Sequence, residues 1–67
     1  MATLTAEQLE AVRSLRRHAS DYLSLCRTPD RDPRSLGCAE AMAEQAARRA
    51  LRLGVPAVVV YDAQVGR

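Results

Sequence analysis

Residues 36–53 read LGCAEAMAEQAARRALRL, stop at Gly54 and run at once into Val55-Pro56-Ala57-Val58-Val59-Val60-Tyr61. Leu36, Ala39, Ala43, Ala46, Ala50 and Leu53 recur at steps of three and four, the spacing that places side chains on one face of an α-helix. The glycine just beyond the last of them is the residue that most readily takes the left-handed conformation in which helices end. The spacing predicts a helix over about 34–53, with a seam made mostly of methyl groups that lets a neighbouring helix approach closely. Glu40, Glu44, Arg48 and Arg52 descend another face at four-residue steps, acid first and base last, as the helix dipole prefers. The segment after Gly54 is short, apolar and rich in β-branched residues, which predicts a strand over about 56–61. A lone strand leaves its amides without a ladder, so Val58, Val59, Val60 and Tyr61 are expected to pair with a second copy or with the sheet edge of another protein. A turn at Asp62-Ala63 with Gln64-Val65-Gly66-Arg67 pairing back would make a weaker hairpin.

Toward the N-terminus, Thr5-Ala6-Glu7-Gln8 fits a capping box, and Leu4 with Leu9 fits a hydrophobic staple. Leu9, Val12, Leu15, Ala19, Tyr22 or Leu23, and Cys26 then mark the buried face of a first helix over about 6–27. Thr28-Pro29-Asp30-Arg31-Asp32-Pro33 interrupts it, because proline lacks an N–H and disfavours helix in the residue before it. Asp32 is placed to cap a second helix that begins at Pro33, with Ser35 as a competing cap. The expected fold class is therefore mostly α with a C-terminal β-strand (α+β). It is an antiparallel two-helix hairpin with a Pro-containing turn at 28–33, then one short strand, all in a single small domain over residues 1–67.

Composition sets limits on this plan. There is no Phe, Trp or Ile among the 67 residues, and the aromatics are Tyr22 and Tyr61. A core built largely of alanine buries little surface, and a chain this short draws only about 3–5 kcal/mol from a single core. Association with itself or with another protein is expected on that ground. All ten basic residues are arginine, a bias read as high-GC coding and hence as a bacterial or phage origin. The net charge of +2 does not by itself imply nucleic acid or membrane. No apolar run approaches the ~18 residues of a membrane span, and Met1-Ala2-Thr3-Leu4 lacks the form of a signal peptide, so a cytoplasmic location is expected. Cys26 and Cys38 would be reduced thiols there, buried or half-buried, although their places at the two ends of the turn leave a disulfide geometrically open.

No constellation carries chemistry strongly. His18, Cys26 and Cys38 would need a fourth ligand to hold zinc, and they lack the paired spacing of a metal site. His18 lies eight residues from Cys26, more than two helical turns, too far for a Cys–His nucleophilic pair within one chain. Asp30, Asp32, Glu40 and Glu44 have capping and ion-pairing roles. No catalytic, metal or cofactor residue is assigned, and an enzyme is not expected. In an antiparallel hairpin Arg13, Arg16 and Arg17 come to the height of Arg48, Arg49 and Arg52, forming a basic band that reads as a partner-binding surface or as a solvated face balanced by Glu10, Asp21 and Glu44. Tyr22 and Tyr61 read as packing residues.

These observations point to a small non-enzymatic protein that binds another protein, as a regulator, adaptor or inhibitor, and that forms a homodimer or higher oligomer. A small Arg-rich nucleic-acid-binding protein is the alternative. A cysteine-based redox or metal sensor stands third.

Overall fold

In the computed structural model, which describes residues 3–30 and 32–66, the first helix, α1, spans Ala6–Arg27. Its start is the expected capping box: the Thr5 hydroxyl accepts the Gln8 amide at 3.1 Å, and the Gln8 side-chain oxygen accepts the Thr5 amide at 2.9 Å. At its other end the Thr28 amide donates to the Leu25 carbonyl and the Thr28 hydroxyl to the Ser24 carbonyl. The Asp32 carboxylate then accepts the Arg34 amide at 2.9 Å and opens α2, Pro33–Arg52, with Pro33 in the first turn where its missing N–H costs nothing. Asp32, not Ser35, is the cap. Arg31, within the Pro-containing turn, lies outside the described residues, as do Arg67 and the Met1-Ala2 segment.

Helix α2 ends in a Schellman motif. The Val55 amide donates to the Ala50 carbonyl and the Gly54 amide to the Leu51 carbonyl, each at 3.0 Å, while Gly54 takes φ 88°. Val55 and Ala50, the pair that makes the apolar contact of such a motif, are both buried. The chain is thereby turned back along the hairpin at a fixed angle.

The segment beyond this turn is helical, which corrects the expectation of a strand. Ala57–Gln64 is a third helix, α3, and no strand occurs among the described residues, so Val58, Val59, Val60 and Tyr61 present no sheet edge for pairing. The reason is the difficulty that the strand itself posed. A lone strand must find partners for its amides outside the segment, whereas a helix satisfies them within it: Val59 and Val60 both donate to the Pro56 carbonyl, at 3.0 and 3.2 Å. Pro56 is suited to a helix start, and burial of Val60 and Ala63 against α1 and α2 outweighs the modest helix penalty of three valines, about 0.5 kcal/mol each. A short apolar run does not tell strand from buried helix by its period.

The two long helices are antiparallel, since the Gln8 side chain near the start of α1 donates to the Leu53 carbonyl at the end of α2 at 2.8 Å. The core is formed by Ala11, Val12 and Leu15 of α1, Ala47 and Ala50 of α2, Val55, and Val60 and Ala63 of α3. Leu4 and Leu53 pack on its edge, and Leu15 is the largest side chain completely buried. From Ser20 to Ala46 no described residue is fully buried. The molecule, 43 Å long and 16–19 Å across, is therefore three helices thick at one end and two at the other. Three expected core positions are altered: Leu9, the second half of the staple, is exposed, Cys26 is exposed, and Ala47 is buried in place of much of the Leu36–Ala46 seam, which is half-covered. Among the described residues no helix is long and apolar enough to cross a membrane.

Candidate functional site

The six arginines of the expected band are all exposed, but the helices do not gather them on one face. Arg13 and Arg17 lie one helical turn apart on α1 and meet Arg49 of α2 in an open cleft of about 300 Å³, with Ser14 as its half-buried floor and Glu10 at its margin. Three arginines thus border one cleft whose lining holds a single carboxylate. Arg16 points the other way around α1 and, with Ser20, Ser24 and Arg27, borders a second cleft of about 490 Å³ against Ala63, Val65 and Gly66. Arg48 is held by Glu44 at 2.7 Å, an exposed i,i+4 pair within α2 of the kind that contributes about 0–1 kcal/mol. Arg52 is exposed in the last turn of α2. The band divides into a trio that lines one cleft and three arginines with separate surroundings.

A third cleft, about 280 Å³, lies between α1 and α2 beyond the end of α3, lined by Ala19, Tyr22, Glu40, Ala43, Glu44 and Gln64. Tyr22 is half-buried there, as a packing residue should be, whereas Tyr61 on α3 is 57% exposed. Cys26 and Cys38 form no disulfide and are both exposed, which corrects the expectation of buried or half-buried thiols. The second helix begins with its small residues turned only partly inward, and the end of the hairpin that carries both cysteines has no third helix over it. His18 is half-buried on α1. Among the described residues no three His, Cys, Asp or Glu side chains come together in an arrangement that could hold a metal ion.

One surface was not legible in the sequence. Val58 and Tyr61 on the outer side of α3, and Val65 just past its end, are 66%, 57% and 42% exposed, while Val60 and Ala63 fill the core from the inner side. Their spacing of three and four marks a stripe only once the segment is given a helical period. Comparison of the chain with protein-family models, with curated proteins and with solved structures gives no match.

Proposed function

We propose that this chain is a small non-enzymatic binding protein, a regulator, adaptor or inhibitor of bacterial or phage origin, that engages an acidic segment of a partner protein through Arg13, Arg17 and Arg49. The observation that carries the reading is that these three arginines line one cleft, with Glu10 as the only opposing charge in its lining. Arginine suits the task, because its planar donor fork binds carboxylates two bonds at a time.

The same trio supports a second reading, contact with nucleic-acid phosphates. Affinity capture from bacterial lysate, with and without nuclease, separates the two. A protein retained after nuclease treatment and lost with Arg13→Gln/Arg17→Gln/Arg49→Gln supports the acidic-protein reading. Capture abolished by nuclease favours nucleic acid. Capture unaffected by the triple replacement removes both.

A further inference from the structure

We infer that the cleft bordered by Arg13, Arg17 and Arg49 takes a phosphorylated side chain of the partner, a phosphomonoester dianion set within the acidic segment. The inference rests on that cleft being the partner site and names the group that occupies it.

The lining gives the polarity of that group. Glu10, Arg13, Ser14, Arg17 and Arg49 border the cleft and none is apolar, whereas the other two clefts carry alanine, leucine or valine in their walls. An apolar anchor has no place there.

Charge gives its valence. Glu44 holds Arg48, but none of Arg13, Arg17 and Arg49 has a hydrogen bond or ion pair among the described residues, and Glu10 engages none of them. Arginine stays charged at any physiological pH, so the lining carries two positive charges in excess. Arg13 and Arg17 moreover stand at i,i+4, where like charges oppose the helix. One carboxylate brings a single charge and two oxygens, and a backbone phosphate of nucleic acid likewise brings a single charge. A phosphomonoester brings about −1.5 to −2 and three acceptor oxygens, which matches both the excess charge and the number of guanidinium forks. Ser14, half-buried on the floor, carries a hydroxyl that can donate as well.

The openness of the cleft gives the source. All three arginines are exposed, and a free ion there would keep most of its hydration. A side chain delivered by a bound segment does not depend on that one contact, because neighbouring residues hold it in place. Arg52, three residues beyond Arg49 and exposed in the last turn of α2, is positioned for a flanking carboxylate.

Titration of the isotope-labelled chain, followed by NMR at its backbone amides and arginine Nε–H groups, provides the test. The probes are a peptide of phosphoserine flanked on each side by two glutamates, the same peptide unphosphorylated, inorganic phosphate, and a DNA duplex of mixed sequence. The phosphopeptide is expected to shift the signals of Arg13, Arg17 and Arg49 and to bind at least about tenfold more tightly than each of the others. Arg13→Gln/Arg17→Gln/Arg49→Gln should abolish that advantage at unchanged far-UV helicity, and Arg49→Lys, which keeps the charge but not the fork, should lose part of it. Equal binding of the two peptides, lost for both in the triple variant, overturns the phosphorylated group and leaves the acidic-segment reading standing. Peptide binding unaffected by the triple replacement overturns that reading and the inference with it. Inorganic phosphate as tight as the phosphopeptide overturns the side-chain source. Tighter binding of the duplex, or no binding of the phosphopeptide at millimolar concentration, overturns the inference outright.

Discussion

The side-chain amide of Gln8 donates to the main-chain carbonyl of Leu53 at 2.8 Å, while the oxygen of the same side chain accepts the Thr5 amide at 2.9 Å. One residue therefore completes the start of α1 and ties it to the end of α2, where the last helical carbonyls have lost their own partners. Gln8→Glu keeps the acceptor of the capping box and removes the donor, leaving a carboxylate against a carbonyl. Gln8→Glu should be destabilised by about 1–3 kcal/mol in a urea melt, at least as much as Gln8→Ala.

Gly54 turns the chain at φ 88°, and a Cβ placed there would stand 3.3 Å from the Gln8 side-chain nitrogen. Backbone strain and the crowded hydrogen bond act together. Gly54→Ala is expected to cost about 1–2 kcal/mol by the same measurement; a neutral result would mean that the turn relaxes to another geometry.

Val58 and Val60 would share a face in a strand but lie on opposite faces of α3, 66% and 4% exposed. Val60→Asp places an unpaired charge in the core and should unfold the chain. Val58→Asp should stay within about 0.5 kcal/mol of wild type. Circular dichroism melts of the pair distinguish helix from strand directly, since a strand would make the two changes alike.

Leu15 is completely buried, and Leu15→Ala should cost about 2–5 kcal/mol, comparable with the whole stability of so small a core. Far-UV circular dichroism at room temperature is expected to show a largely unfolded chain. Cys38→Ser, on the exposed side of α2, should leave the spectrum unchanged.

Local signals in the sequence carry well wherever the cause is local. Thr5 with Gln8, Asp32 with Pro33, and Gly54 each act within a few residues, and each ends or begins a helix as its chemistry indicates. Ion pairing of Glu44 with Arg48 is legible for the same reason. The segment 56–61 misleads because its valines favour a strand locally, while the deciding term, burial of Val60 and Ala63 against the other two helices, is tertiary. The arginine band is half legible: helix register gives the height of each residue, but the turn of α1 about its own axis separates Arg16 from Arg13 and Arg17.

The confinement of every fully buried described residue to positions 11–19 and 47–63 divides the chain by tolerance to change. Between Ser20 and Ala46 no described residue is packed on all sides, so a scan of all single variants should find this stretch more permissive than the anchored end, except at the caps Thr28 and Asp32 and at the half-buried residues between α1 and α2. Paired insertions of whole helical repeats on the two sides of the turn should likewise be accepted, lengthening the hairpin while the anchored end stays as it is. The free half is then an arm of adjustable reach, and sequence drift along it can retune what the protein touches without endangering the fold.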